Sequence, residues 1–472
     1  MASVVWFRQD LRVSDNPAIL GGVMIGDIIP IYIFDDCATD DLRMGDATKV
    51  WLQDSLSKLN KSLENSLNLY IGESAKIIAS LIDRYKVRHV FCNACYEPWH
   101  LDQEKSVRRV CLEHNATFEV FNSNYLWLPT QILKEDGDYY KIFTAYKNKS
   151  RSIGHRTPVE TPQGFKCVKD TDNATTLADL QLLPQHPWYK NIQKIWDIGE
   201  VSAQSKLKSF MSNKLHGYKE GRNYPGNDYV SRLSPHLHFG EISPAQILKA
   251  IENISKTDTN SDDVEHFVSE ITWREFSCYL LYHFRELHKT NFNKKFDTFS
   301  WENNHDLLEC WKRGNTGYPI IDAGMRELWQ TGYIHNRVRM IAASFLVKNM
   351  NIHWQHGMRW FWNCLIDADL ANNSASWQWV AGSGVDAAPY FRIFNPITQG
   401  EKFDSNGNYT RKFVPELKNI PDKYLFKPWT APENVLKSAG VVLDVTYPRP
   451  IVDCATSRKK ALERYQLLSH VR

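Results

Sequence analysis

The sequence lacks the long apolar runs that cross membranes. No stretch of about 18 uncharged apolar residues occurs in the 472-residue chain, so we expect no membrane span. The N-terminal segment also lacks the apolar centre of a secretory signal, because Arg8 and Asp10 interrupt it. Cysteine is sparse, with nine residues, which argues against a disulfide-stapled secreted domain and favours a reducing, cytoplasmic location.

Metal-binding patterns are equally scarce. Cys92 and Cys95 form a CxxC, which is compatible with a redox pair or half of a zinc site. No second cysteine pair accompanies it, so we expect two small residues near the end of a buried strand and no metal. A GxGxxG after the first strand is missing too, which argues against a dinucleotide in the usual place.

Charge is present but balanced, whereas tryptophan is abundant. A net charge of +3 permits an anionic partner without requiring one. The sixteen tryptophans can build a large core, or they can supply surfaces on which a flat cofactor or a base stacks.

Strand-like and helix-like segments alternate in the first third of the chain. Strands are expected at residues 4–6, 27–33, 67–71, 87–93 and 117–121, and helices at 47–63, 75–85 and 104–114. Another helix should start near Pro17, capped by Asp15 or Asn16. This rhythm predicts a doubly wound, Rossmann-like parallel sheet. We expect an α/β domain over 1–130, a long connector over 131–200 and an all-α domain over 201–472.

Long strings in the helical half carry a family resemblance. They are TWREF at 272–276, TGYPIIDAGMREL at 316–328, HNRVRMIAASFL at 335–346, IDADLANNSASWQW at 366–379 and DAAPYFRIFNPITQGEKFD at 386–404. Together with WFRQDLRVSDN at 6–16 they resemble the photolyase/cryptochrome family, and within it the class I cyclobutane pyrimidine dimer photolyases. The resemblance implies an α/β antenna domain, a connector and a helical FAD-binding domain.

The resemblance also implies a set of FAD-binding residues: Tyr218, Ser231, Arg232, Leu233, Ser234, Glu270, Arg274, Asn336, Arg339, Asp367, Asp369 and Asn373. An arginine fixed near the flavin ring would stabilise its anionic form. Asn373 would face flavin N5, where an amide does not readily lend a proton. Without the resemblance, Arg339 would belong to a core ion pair, Ser234 would be a helix cap and Asn373 a loop residue.

A second implied set forms the substrate pocket and comprises Glu270, Trp273, Asn336, Met340, Asn373 and Trp379. Glu270, Trp273 and Arg274 share one helical face by spacing, as do Asn336 and Met340. The two tryptophans would hold a flipped-out pyrimidine dimer, and Glu270 and Asn336 would bind its base edges. UV-damaged DNA, single- or double-stranded, is therefore the expected partner of a monomeric protein.

Contacts to DNA are expected from Arg222, Arg232, Trp273, Arg337, Met340 and Trp379. Arginines would bind phosphates with little sequence preference. Members that repair (6-4) photoproducts carry two histidines where this chain has Asn336 and Met340. Because opening a cyclobutane ring needs no acid or base, these two residues favour the cyclobutane lesion.

Trp377, Trp354 and Trp301 match the family's electron relay to the surface, although spacing alone would assign them to the core. For the antenna, the resemblance implies 5,10-methenyltetrahydrofolate or a deazaflavin, or none. The segment 92–103 departs from the folate-binding pattern near Trp99 and His100. The expected function is light-dependent dimer repair.

Two other functions stay open at this stage. One is a cryptochrome-type photoreceptor without repair. The short segment after the helical domain disfavours it, as do Asn373, Trp273, Trp379 and Met340. The other is a non-photochemical nucleic-acid-binding protein, which the flavin-pocket residues disfavour.

Overall fold

A computed structural model of the chain describes residues 2–35, 38, 42–173, 175–254 and 261–470. Its only multi-stranded sheet within those ranges is parallel and has the order β3-β2-β1-β4-β5. The strands are β1 (Ala2–Phe7), β2 (Asp27–Phe34), β3 (Asn68–Ile71), β4 (His89–Asn93) and β5 (Thr117–Phe121). This is the doubly wound order that the alternating segments predicted, and the predicted fold class is confirmed.

Four helices accompany the sheet, and they are α1 (Pro17–Ile25), α2 (Asp46–Ser62), α3 (Ser74–Tyr85) and α4 (Pro98–Glu113). Asn16 caps α1, because its side chain accepts a hydrogen bond from the Ile19 amide at 3.3 Å. The helix α4 begins at Pro98, earlier than the predicted start at 104. Proline at the first helical position needs no amide partner, so it extends this helix toward the strand before it.

No β-strand follows β5 in the described part of the chain, as predicted for the helical half. The remaining helices are α5 (Phe143–Ile153), α6 (Lys190–Ile195), α7 (Glu200–Asn213), α8 (Tyr218–Gly221), α9 (Ser234–His238), α10 (Pro244–Ile254), α11 (Ser261–His283), α12 (His305–Lys312), α13 (Pro319–Thr331), α14 (Asn336–Ser344), α15 (Trp354–Cys364), α16 (Leu370–Ala381), α17 (Pro396–Phe403), α18 (Asn408–Phe413), α19 (Asp422–Leu425), α20 (Glu433–Ala439) and α21 (Cys454–His470). The helices α5 and α6 lie in the expected connector, where the sequence analysis had assigned none.

The chain divides into two compact units that cut across its linear order. The first unit comprises residues 1–216, 231–285 and 366–371, and the second comprises 217–230, 286–365 and 372–472. The division into three domains expected from the sequence remains a prediction.

Apolar residues on both faces of the sheet form the core of the α/β part, as a parallel sheet covered by helices requires. Val4, Ile29, Ile31 and Val90 are completely buried there. Among the described helices, none is both long enough and apolar enough to cross a bilayer. Cys92 and Cys95 are buried free thiols, and burial raises the pKa of both.

Candidate functional site

A buried polar cluster marks the first unit, and we define it as Ser234, His238, Arg274, Asp367 and Asp369. Ser234 Oγ donates to Asp367 Oδ2 at 2.6 Å. Burial lowers the pKa of His238, while the nearby carboxylates Asp369 and Asp367 oppose the shift. Burial also acts on Arg274, but neighbouring acidic groups, including Asp369, raise its pKa, so the guanidinium keeps its charge. The polar cluster therefore brings four of the predicted FAD-binding residues together.

The structure corrects one alternative for Ser234. The helix α9 begins at Ser234 itself, and Leu233 occupies the cap position without a side-chain hydrogen bond. The Ser234 hydroxyl is instead committed to Asp367. Nearby, Ser231 Oγ accepts a hydrogen bond from the Leu233 amide at 3.4 Å, and Arg232 lies over the Trp196 ring at 5.8 Å. Ser231, Arg232 and Leu233, predicted to lie on the phosphate side of FAD, thus directly precede α9.

Trp273 lies on α11 with Glu270 and Arg274, on the shared helical face that their spacing predicted. Its indole stacks on Phe143 of α5, with ring centroids 3.7 Å apart and planes 7° from parallel. The tryptophan nevertheless remains partly exposed. Phe143 therefore backs an aromatic surface whose orientation is fixed before any ligand arrives.

Arg274 pairs with the carboxylate next to it in the chain, Glu275. Its Nη1 donates to Glu275 Oε1 at 3.0 Å and to the Asn124 carbonyl at 2.9 Å. The guanidinium also lies 4.7 Å from the centre of the Tyr125 ring. These contacts hold Arg274 in a fixed position in the polar cluster.

In the second unit, α14 carries four of the predicted residues within its first two turns: Asn336, Arg337, Arg339 and Met340. Asn336 is exposed and Met340 is partly exposed, so both are accessible. Arg339 Nε donates to the Ile334 carbonyl at 2.7 Å, so the guanidinium end of that side chain is held in place. Asn336 and Met340 therefore lie on one face of the same helix, as their spacing predicted.

Positive charge concentrates around Arg337. Burial lowers the pKa of Arg337, and the neighbouring cations Arg222 and Arg392 lower it further. The guanidinium also bonds to Asn223 Oδ1 and lies 4.4 Å from the centre of the Phe403 ring. Arg222 itself lies over the Tyr218 ring at 5.5 Å. Three arginines that repel one another are suited to an anion such as a phosphate.

Asn373 lies on α16, which corrects the alternative that it is a loop residue. It is 8% exposed, and its Nδ2 donates to the Met358 carbonyl at 3.0 Å. This bond fixes the amide orientation and leaves Oδ1 as the atom available to a bound group. Trp379, on the same helix, is partly exposed.

The three tryptophans predicted to form the electron relay all belong to the second unit and differ in burial. Trp377 is 2% exposed and Trp354 is 0% exposed, whereas Trp301 is partly exposed. Trp354 Nε1 donates to Asn291 Oδ1 at 2.9 Å. The burial order agrees with a path that starts in the interior and ends at solvent.

At the sheet, the carboxyl ends of β1 and β4 meet where the strand order reverses, which is the usual ligand crevice of such folds. Arg8 follows β1, bonds to the Asn93 carbonyl and pairs with Glu104 at 2.7 Å. Its Nε and Nη1 are buried without a partner in the described part of the structure. Burial favours a raised pKa for Glu97, but hydrogen bonds from His100 and Gln9 hold its pKa at about 2.

The polar cluster of the first unit fits a bound polar cofactor. His238 Nδ1 is buried and has no hydrogen-bond partner among the described residues. A buried unpaired nitrogen is costly, and a ligand atom can satisfy it. Asn373 of the second unit has its side-chain oxygen left over beside the bond that its Nδ2 donates to the Met358 carbonyl.

Sequence reasoning missed His238 and Phe143. A buried histidine inside a short helix carries no pattern of its own. The helical spacing of Phe143, Tyr146 and Ser150, all buried, could have revealed α5 within the connector.

Comparison with known proteins identifies the family. A family model described as "FAD binding domain of DNA photolyase" matches residues 267–467. A second model, described as "DNA photolyase", matches residues 3–163. Within the first of these ranges lie α14, most of α11 and the three tryptophans predicted to form the electron relay. The chain thus contains the FAD-binding domain that its sequence predicted.

Two curated relatives and one solved structure resemble nearly the whole chain. A deoxyribodipyrimidine photo-lyase of Agrobacterium fabrum is 44% identical over 98% of this chain and 97% of its own length. Cryptochrome-1 of Arabidopsis thaliana is 32% identical over 95% of this chain and 68% of its own. The crystal structure of a class III photolyase from Agrobacterium tumefaciens is 43% identical, with a TM-score of 0.94 over 99% of this chain and 98% of that one. The chain therefore belongs to the photolyase/cryptochrome family.

Proposed function

We propose that this protein is a deoxyribodipyrimidine photo-lyase that repairs cyclobutane pyrimidine dimers in DNA. The observation that carries the choice of lesion is the accessible face of α14. Asn336 and Met340 are exposed or partly exposed there, and neither side chain titrates. A cyclobutane ring opens by gaining and returning one electron, so no acid or base is needed at these positions.

FAD supplies the electron when it is bound and reduced, and light excitation makes the transfer possible. The residues of the polar cluster hold the cofactor's polar groups, and His238 Nδ1 finds its partner there. Arg339 stabilises negative charge, and Asn373 offers an acceptor without a proton to lend. Tyr218, Ser231, Arg232 and Leu233 contribute to the phosphate side.

The dimer is flipped out of the duplex and stacks on aromatic side chains. Flipping costs a few kcal/mol, and stacking returns about 1–3 kcal/mol per base. Trp273 is suited to this role because Phe143 already fixes its plane. We assign Trp379 to the same lesion, and Glu270 and Asn336 to the base edges.

Phosphates beside the lesion bind to the cationic residues. The positive charges of Arg222 and Arg337 repel each other in the free protein, so a bound anion would reduce this electrostatic repulsion. Arg232 contributes a further cation on the first unit. We propose that a monomer acts in this way on single- or double-stranded DNA in the cytoplasm, with little sequence preference.

We assign an antenna chromophore to the crevice at the ends of β1 and β4. The buried Nε and Nη1 atoms of Arg8 lack partners among the described residues and are donors for a ligand. Methenyltetrahydrofolate is the first candidate and a deazaflavin the second. Fluorescence of the released chromophore distinguishes them.

The test uses the FAD-loaded protein, reduced chemically, with oligothymidine that contains a cyclobutane dimer. Blue light should restore absorbance in the thymine band, and the dark sample should not change. An oligonucleotide with a (6-4) photoproduct serves as the control lesion. Repair of the control instead of the dimer would contradict the assignment of Asn336 and Met340.

A cryptochrome-type photoreceptor is the second candidate, and the similarity to Cryptochrome-1 of Arabidopsis thaliana favours it. It predicts that light reduces the flavin while both lesions persist. The same assay therefore separates the two functions.

A further inference from the structure

A histidine lies against two of the relay tryptophans. The imidazole of His353 has its centroid 5.1 Å from Trp301 at 76° and 5.5 Å from Trp354 at 30°. We propose that His353 is a positioning residue of the relay, whose neutral ring couples the outer tryptophan Trp301 to Trp354. This inference rests on the proposed function and on the assignment of the three tryptophans.

Hydrogen bonds hold the segments that carry these rings together. The Glu302 amide donates to the Asn351 carbonyl at 3.0 Å, and Asn351 Nδ2 donates to the Ser300 carbonyl at 3.0 Å. The His353 amide donates to Asn303 Oδ1 at 2.9 Å. Because these bonds flank Trp301 on both sides, they hold its backbone beside the segment that carries His353.

The tautomer of His353 is also defined. As the cap of α15, its Nδ1 accepts a hydrogen bond from the Gln355 amide at 3.3 Å, so the ring proton of the neutral form is on Nε2. Burial lowers the pKa of His353, the neighbouring His356 and Arg359 lower it further, and Asp297 opposes them, which leaves a pKa of about 4. The imidazole is therefore uncharged at neutral pH.

The His353 ring must be neutral for this role, because the proposed relay moves positive charge from the interior toward the surface. When oxidised FAD is bound and excited, Trp377 would give one electron to it, Trp354 would then reduce Trp377, and Trp301 would reduce Trp354. Trp301 then loses its indole proton to water, and a thiol in solution returns one electron and one proton to it. An imidazolium beside both rings would repel the arriving charge.

The proton is retained at the inner position and released at the outer one. Trp354 Nε1 is bonded to Asn291 Oδ1, and an amide oxygen is too weak a base to accept that proton. Trp301 is partly exposed, so water and thiol reach it. His353 thus lies at the step where the charge leaves the interior.

Two substitutions distinguish the role of the His353 aromatic ring from its role as the N-cap of α15. His353→Asn keeps a side chain that caps helices well and removes the aromatic ring, whereas His353→Phe keeps a ring and removes the cap. In the FAD-loaded protein with a thiol, we expect His353→Asn to lose the Trp301 radical absorbance after a flash, and His353→Phe to retain it. Retention in His353→Asn, or loss in His353→Phe with FAD content unchanged, would overturn the inference.

The protonation state of the His353 imidazole can be measured without any photochemistry. Nitrogen-15 spectra of the holoprotein, assigned by comparison with His353→Asn, should show His353 neutral with its proton on Nε2 at pH 6. Flavin photoreduction should stay constant as the pH passes through 6.5, the ordinary histidine value. A protonated His353 at pH 6, or a fall centred near 6.5, would overturn the inference.

The two proposals fail in different ways. If chemically reduced protein does not repair the dimer, the proposed function fails whatever His353 does. If the protein repairs the dimer, and Trp377→Phe blocks photoreduction while His353→Asn does not, only the inference about His353 fails.

Discussion

The proposed chemistry depends on single side chains whose neighbours only the fold reveals. The resemblance pointed to Asn373 and Trp273 by position alone. The bond from Asn373 to the Met358 carbonyl and the Phe143 stack on Trp273 required the fold, because each joins residues far apart in the chain. His353 was missed because a helix-capping histidine looks like any other polar cap.

Trp273→Ala should weaken binding of dimer-containing oligonucleotide while FAD stays bound. Loss of one stacking surface corresponds to about 1–3 kcal/mol per base, and Phe143 does not replace it. The dissociation constant, measured with dimer-containing and undamaged DNA, checks this. Release of FAD would show that Trp273 supports the cofactor and not the lesion.

The free energy of unfolding should depend on pH through His353. Its pKa in the folded protein is about 4, below the 6.5 of an unfolded chain, so the unfolded state binds more protons between these values. Stability is therefore full above pH 6.5 and falls as the pH decreases toward 4. Removing the imidazole in His353→Asn should reduce this fall by about 1–3 kcal/mol, allowing for partial solvent screening. Denaturant titrations at both pH values measure the difference, and equal falls in the two proteins would contradict it.

At the scale of elements, the parallel sheet was predictable and the helix ends were less so. Short apolar segments alternating with amphipathic ones define the strands, and all five lie close to their predicted positions. The helix α5 was missed because proline- and threonine-rich loops follow it. The helix α4 extends to Pro98 because proline suits a first turn.

The packing of α15 on α16 depends on Gly357. A Cβ atom at this position would overlap the Trp377 ring and the Leu346 side chain. Gly357→Ala should therefore destabilise the protein by about 1–3 kcal/mol, although alanine favours helices. Denaturant unfolding gives the value. The double variant with Trp377→Phe is the control, since a smaller ring should recover part of the loss.

At the scale of the whole molecule, the amino-acid composition says little about binding partners, because a net charge of +3 identifies none. Other arginines lie near Arg337, and together they create a local excess of positive charge that the net charge of the chain does not reveal. The family resemblance, confirmed by the matches over 3–163 and 267–467, identified the cofactor class. Which lesion is repaired stays a prediction.

DNA affinity should fall as salt increases, and Arg337→Ala should reduce the slope. Each lost phosphate contact lowers the log–log salt slope by about 1, and the effect should be equal for different sequences. Binding isotherms at several salt concentrations check this, with Lys459→Ala, a highly exposed site, as the control. An unchanged slope would remove Arg337 from the DNA contact.

The central claim is that the electron given to the dimer returns to the protein-bound flavin. The most direct measurement follows dimer loss and flavin absorbance together, without oxygen, in reduced protein under continuous blue light with excess dimer-containing DNA. We predict many dimers repaired per chain while the reduced-flavin spectrum stays constant. Repair that stops after one dimer per chain, with oxidation of the flavin, would contradict the account.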